Sequence, residues 1–214
     1  MKSVCLIGKG LSAVHANEFL DKDDDIATIN DSGVLVDGQI KYAFSPHDFN
    51  MIKTVYSRIL FTVSPRNKKY PNNPLWYNGP APDWWDFSKH ITYEEGACGG
   101  AYEHLSSRML SGGICHHATT SGAIHWLCKV ARYEKIRIIG VDGGSGYAPA
   151  VQLKSIIDED HKRASAAGKK CFSKFYLKDP DFMSKWKAIS ERVAHLCEKV
   201  YGTTFEWYGE KSST

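Results

Sequence analysis

Residues 4–13 read Val4-Cys5-Leu6-Ile7-Gly8-Lys9-Gly10-Leu11-Ser12-Ala13. An apolar run that breaks at a glycine and restarts as a helix near Ser12 is the opening unit of an open α/β sheet, a strand followed at once by a crossover. Where a helix starts, its first backbone N–H groups have no intrahelical partner, and the dipole behind them favours an anion. The turn is therefore a candidate phosphate cradle formed by Gly8, Lys9, Gly10 and Ser12. The spacing also fits the G-x-G-x-x-G/A dinucleotide fingerprint, with Ala13 in the third place and Asp31 where a ribose-binding carboxylate could sit. A nucleotide-sugar site, an NAD site and a plain tight turn all remain open at this stage.

Working outward, Ser12 can cap a helix to about Leu20, and the acidic turn Asp21 to Asp25 leads into a second strand, Ile26 to Asn30. Val34 to Val36 and Ile40 to Phe44 read as short strands around the turn dipeptide Asp37-Gly38. Ser45-Pro46 starts a brief helix that runs into an apolar strand, Arg58 to Val63. From Ser64 to His90 the pattern dissolves into Pro, Asn, Trp and Tyr, the composition of a functional insertion or lid near residues 64–95. Order returns in a helix ending near Leu110, a second helix over Ala118 to Cys128, and the strand Ile136 to Asp142. A polar and basic lid near 158–178 precedes a final helix, in which Phe182, Trp186, Ile189, Val193, Leu196 and Val200 recur at three- and four-residue steps. Thr204 to Tyr208 closes the series as a last strand. The expected architecture is α/β, a single doubly wound Rossmann-like domain over residues 1–214 with a mostly parallel sheet.

The composition is that of an ordinary globular chain: 214 residues, 43% hydrophobic and 24% charged. A net charge of +3 is too small to establish nucleic-acid binding. Met1-Lys2-Ser3 leads straight into the first strand without a signal-like run, and no apolar stretch is long enough to span a bilayer, so a cytoplasmic protein is expected. Six cysteines without a C-x-x-C pair fit reduced thiols better than a disulfide or zinc framework.

In an open α/β sheet the ligand lies beyond the carboxyl ends of the strands. Three segments arrive there: Gly8 to Ser12, Asn30-Asp31, and Asp142-Gly143-Gly144-Ser145-Gly146-Tyr147. A fourth, Thr119-Thr120-Ser121-Gly122, opens a helix and offers hydroxyls and N–H groups to a sugar, nucleobase or phosphate, or is simply a cap.

The set GKGLS after strand one, Asn30 after strand two, TTSGAIHWLCKVA as a helix and IRIIGVDGGSGYA as strand and glycine loop resembles the bacterial lipooligosaccharide sialyltransferases and their relatives. The resemblance extends over most of the chain except residues 64–110. It implies a GT-A-like fold that transfers a nucleotide-activated sugar to an acceptor hydroxyl without an essential metal or other cofactor. It also implies that Gly8, Gly10 and Ser12 cradle the nucleotide, and that Asn30 touches base, ribose or phosphate. On the same ground Thr120, Ser121 and Gly122 hold the nucleobase end, Asp142 sits beneath the site beside Gly143, and Tyr147 hydrogen-bonds the leaving phosphate.

That family places a histidine general base shortly before the final helix, whereas Lys178 to Phe182 contains none. An imidazole or a carboxylate within hydrogen-bond reach can do the work, which makes His161 the first candidate and Asp181 the second. Asp158-Glu159-Asp160 spells D-x-D but reads as a solvated acidic run, and Cys115-His116-His117 lacks a fourth zinc ligand at suitable spacing. No metal site is expected. The lysines and arginine between Lys162 and Lys178, with Trp84-Trp85 as stacking surfaces, keep a hydroxymethylated DNA base beside a glycan as acceptor. The alternatives are an NAD-dependent oxidoreductase, favoured by Asp31, and a nucleotide-binding protein without catalysis.

Overall fold

The computed structural model describes residues 1–46, 49, 52–71, 73, 80–96, 114–115, 118–143, 147–148, 151 and 180–208. Seven strands form one sheet: β1 (Ser3–Ile7), β2 (Asp25–Ile29), β3 (Ile40–Phe44), β4 (Ile59–Pro65), β5 (His90–Tyr93), β8 (Lys135–Ile139) and β9 (Thr204–Trp207). Their order across the sheet is β5-β4-β3-β2-β1-β8-β9, and every pair is parallel. The short strands β6 (Glu95–Gly96) and β7 (Ile114–Cys115) pair separately, also in parallel. The fold is the α/β, Rossmann-like class expected of alternating strands and crossovers.

Side chains of a strand alternate between the faces of a sheet, and β1 shows the consequence. Val4 and Leu6 enter one core with Ala27, Ile29, Phe44, Ile136 and Ile138, whereas Cys5 and Ile7 enter the opposite core with Ala43, Ile52, Val55 and Ile139. The first core is closed by α2 (Thr119–Lys129) and α3 (Pro180–Tyr201). Ala123, Ile124, Leu127 and Cys128 of α2 meet Val193, Ala194 and Cys197 of α3 over the sheet. Trp126 fills the space between α2 and β3, its ring 5.1 Å from Tyr42 and 5.6 Å from Phe44. Gly202, with φ +72°, ends α3 in the left-handed conformation that glycine adopts without a Cβ penalty.

The second core is closed by short turns, and here the local reading needs correction. The helix expected from Ser12 to Leu20 is a 3-10 turn, Leu11–His15, followed by a single α-turn, α1 (Ala16–Phe19). Ser12 does not cap it, because its side chain is bonded elsewhere. The strand expected over Val34–Val36 is a 3-10 turn, Asn30–Leu35. Ser32 Oγ donates to Ile7 O at 2.7 Å and accepts from Ile29 N–H at 3.0 Å, and Arg58 binds the carbonyls of Gly33 and Val36 at 2.8 and 2.7 Å. These long-range bonds satisfy backbone that would otherwise need a strand partner.

The stretch expected to be a structureless insertion supplies the sheet with its edge strand β5. Trp85 is core rather than a stacking surface: it is 5% exposed, its ring 4.5 Å from Phe49 and 5.4 Å from Tyr56, while Trp84 is half-buried with its ring 4.9 Å from Tyr56. Burial of so large an apolar surface gives the Trp85 ring a structural role. Among the described residues no helix is long and apolar enough to cross a membrane.

Candidate functional site

Because the seven strands are parallel, their carboxyl ends share one edge. The chain leaves β1 for β2 on one side and returns to β8 on the other, so the switch point of the topology lies between the ends of β1 and β8. The loops that follow these two strands close on each other. Gly8 N–H donates to Ile139 O at 2.8 Å, Gly10 N–H donates to Gly140 O at 2.8 Å, and Ala148 N–H donates to Lys9 O at 2.9 Å. Tyr147 forms an antiparallel bridge with Gly10. Ser12 donates its N–H to Asp142 Oδ2 at 2.8 Å and its hydroxyl to Asp142 Oδ1, while Gly140 N–H donates to Ser12 Oγ at 3.0 Å.

The donors of Gly8, Gly10 and Ser12 are thus engaged inside the protein, and the carboxylate of the exposed Asp142 is the anion at the start of the turn. The small residues have the same physical cause. A Cβ on Gly10 would stand 2.5 Å from Asp142 Oδ2, one on Gly8 would overlap the Gly140 carbonyl oxygen, and one on Gly140 would lie 2.8 Å from the Cβ of Ala13. Close approach of two strand ends accounts for the G-x-G-x-x-A spacing without a ligand.

Beyond this seam the edge becomes polar and unsatisfied. Lys9 Nζ lies 3.2 Å from Asp31 Oδ1, with the two side chains 11% and 4% exposed, and 5.2 Å from the centre of the Tyr147 ring. Neither carboxylate oxygen of Asp31 accepts a hydrogen bond. Asn30 is 7% exposed, adopts φ +54°, which Asn tolerates better than most residues, and leaves its Oδ1 without a donor. Ile29 and Phe44 are register partners, so Asn30 and Ser45 follow them side by side at the edge, and the buried Ser45 Oγ is likewise unpartnered. Buried polar atoms without partners are uncommon in folded proteins and call for an explanation. Here the ends of two adjacent strands, β2 and β3, supply acceptors that a bound molecule carrying O–H or N–H donors would satisfy. Ser45 was not singled out in the sequence, although its place just past a strand end is the signal that marked Asn30.

Both α2 and α3 lead into the amino ends of their following strands, β8 and β9, so their own amino ends face the carboxyl edge of the sheet. At the start of α2, Ser121 Oγ accepts from Ala118 N–H at 3.0 Å and donates to Ala118 O at 2.9 Å, while Gly122 N–H reaches Ala118 O at 3.0 Å. Ser121 therefore serves as a helix cap, with Thr119 and Thr120 half-buried before it. Ser121→Ala is expected to cost about 1 kcal/mol, the usual worth of such a cap. Thermal unfolding would register this as a Tm lower by roughly 2–4 °C for a chain of this size.

Gly143, with φ +71°, brings the β8 loop against α3, where a Cβ would stand 3.0 Å from Lys187 Cβ and 3.5 Å from Ser184 Cα. Asp181 belongs to the first turn of α3, at this same end; its side chain is outside the described residues. So are His161, the 158–178 segment with its D-x-D run and basic residues, His116, His117 and Gly144 to Gly146. Among the described residues no group of three His, Cys, Asp or Glu side chains is placed to hold a metal ion.

Two histidines away from the edge are shifted by burial alone or chiefly by burial. His125, enclosed in α2 with its Nε2 3.1 Å from Tyr201 Oη, is pushed down to about 4 by desolvation, with Lys129 adding to the effect. His90, whose Nε2 is 3.1 Å from Ser64 Oγ beneath Trp85, is pushed down to about 4 by desolvation.

No protein-family model matches the sequence, and no curated protein matches it. Among solved structures, the sialyltransferase CST-II in complex with a trisaccharide acceptor and CMP is similar to this chain with a TM-score of 0.48 at 12% sequence identity, over 96% of this chain and 80% of that chain.

Proposed function

We propose that this protein is a glycosyltransferase that binds a nucleotide sugar at the carboxyl edge of its sheet and passes the sugar to an acceptor hydroxyl. The observation that carries the reading is the row of buried acceptors at the ends of β2 and β3: Asn30 Oδ1 and Ser45 Oγ, which have no partner, and the Asp31 carboxylate, which is ion-paired with Lys9 but accepts no hydrogen bond. A nucleoside carries the complementary groups, its ribose hydroxyls and any exocyclic amino group. The sequence resemblance to the lipooligosaccharide sialyltransferases supports the same placement, and the donor's sugar would then lie toward Tyr147 and the amino ends of α2 and α3.

In this reading the acceptor oxygen attacks the anomeric carbon as the bond from that carbon to the phosphate oxygen breaks. The electron pair leaves with the phosphate, and the acceptor proton passes to a base, for which His161 comes first and Asp181 second. Gly8, Gly10 and Ser12 contribute the shape of the site rather than free donors, since their N–H groups are already bonded. The acceptor is a glycan or a hydroxymethylated base; with Trp85 buried, Trp84 alone of that aromatic pair is left half-exposed to stack on a base.

A thermal-shift screen against CMP, UDP, GDP, their sugar conjugates and NAD tests the reading, because a ligand of the folded state raises Tm by mass action. The expected result is a rise with one nucleotide and its sugar conjugate, followed by release of that nucleotide when an acceptor is supplied. A rise with NAD alone would replace the transferase by an oxidoreductase. A nucleotide rise without turnover on any glycan or DNA acceptor would leave a binding protein.

A further inference from the structure

Resting on that nucleotide-binding reading, we propose that Lys9 is the residue that holds the phosphate of the bound nucleotide, with Asp31 as its counter-ion in the free protein. The root of Lys9 is fixed between two neighbours of the β8 loop, because its carbonyl accepts from Ala148 N–H and the next residue, Gly10, bridges Tyr147. Its ammonium group is directed along the edge toward Asp31 and lies over the Tyr147 ring. An ammonium carries three N–H donors. Here one carboxylate oxygen at 3.2 Å and one ring face at 5.2 Å are its partners, and Asp31 itself accepts no hydrogen bond. The pair is buried yet poorly saturated, which is an expensive arrangement for two charges unless a further polar group completes it.

A phosphate completes both halves. Its oxygens accept the spare donors of Lys9, and the hydroxyls of the attached ribose are donors of the kind that the Asp31 oxygens lack. When the bond between the anomeric carbon and the phosphate oxygen breaks, the electron pair comes to rest on that oxygen, and a cation already in place stabilises it without reorganisation. Asp31 is in this account a positioning residue: it keeps the Lys9 side chain along the edge until the phosphate arrives. Asp142 cannot take the phosphate's place at Lys9, since its carboxylate is turned to Ser12.

The test compares each nucleotide with its own nucleoside, so that general damage to the site cancels. Isothermal titration with CMP and cytidine, UDP and uridine, and GDP and guanosine is run on the wild type, Lys9→Met, Lys9→Arg and the double variant Lys9→Met with Asp31→Asn. The double variant covers the case in which a lone buried Asp31 carboxylate unfolds Lys9→Met. The expected result is that the wild type binds one nucleotide roughly 10- to 100-fold more tightly than its nucleoside, the range that a charge-assisted phosphate contact supplies. The ratio then falls to near one without Lys9 and is mostly kept by Lys9→Arg. A ratio that persists in Lys9→Met or in the double variant overturns the inference, as does a wild type that binds nucleoside and nucleotide equally; in both cases the nucleotide-binding reading survives. A wild type that binds neither class overturns both.

Discussion

Gly8→Ala is expected to unfold the protein or to weaken it by about 3 kcal/mol or more, the upper range for forcing an atom into a filled site. The new Cβ would overlap the carbonyl oxygen of Gly140, lie 2.8 Å from the Gly140 carbonyl carbon and 3.0 Å from Val141 Cγ2. Two of these three obstacles are backbone, and that backbone is pinned by the Gly8 and Gly10 hydrogen bonds to Ile139 and Gly140. Gly140 is itself held on both sides, its N–H donating to Ser12 Oγ at 3.0 Å and its carbonyl accepting from Gly10 N–H at 2.8 Å. The measurement is denaturant or thermal unfolding of the purified variant without ligand. If Gly8 were small only to let a phosphate approach, the variant would fold with wild-type stability and lose nucleotide binding alone. A normal melting curve would thus show that the two strand ends are not packed as described.

Acidification is expected to produce the second large effect. His125 is held neutral in the folded protein, down to about 4 against an ordinary 6.5, so the unfolded chain takes up its proton first. Stability from this group is fully present above about pH 6.5 and falls as pH drops below it, and the loss ends near pH 4. The slope over that window is about 1.4 kcal/mol per pH unit, which makes about 2 kcal/mol between pH 6.5 and 5. His90 is lowered in the same direction by burial and adds to the loss, by less because the residue is partly exposed. Set against a typical total of 5–15 kcal/mol, this should appear as a clear fall of Tm from pH 7 to 5. His125→Gln should flatten that fall while lowering stability at pH 7, where the Tyr201 contact is disturbed. A pH dependence unchanged in His125→Gln would mean that other groups drive the acid transition.

The acid effect originates away from the proposed chemistry, whereas the Gly8 effect arises directly behind it. The seam that Gly8 permits is also the wall behind Lys9, Asp142 and Tyr147, so variants of the binding residues are best read as affinity ratios on a folded protein. Asn30, Asp31 and Ser45 stand outside the seam, at the open side of the edge, where substitution can change binding without disturbing the packing of β1 on β8.

The sequence by itself determined the strands β1, β2, β3, β4 and β8, the helices α2 and α3, and the final strand β9, because each is written in a local period. Strands alternate or run wholly apolar between two covered faces, and the helices carry a stripe at three- and four-residue steps. It also marked Asn30, Asp31 and Tyr147 as neighbours of the strand ends, since topology alone sends those ends to one edge. Only the tertiary structure decided the rest. The 3-10 turns after β1 and β2 exist because Ser12, Ser32 and Arg58 find partners far away in the chain, at Asp142, Ile7 and the carbonyls of Gly33 and Val36. Trp85 was legible as an aromatic but not as core, because Phe49 and Tyr56 reach it from another crossover. The G-x-G-x-x-A pattern could be read in the chain, but its cause could not: a missing Cβ makes room for a ligand or for a neighbouring strand, and here it is the carbonyl of Gly140 and the carboxylate of Asp142 that occupy the room.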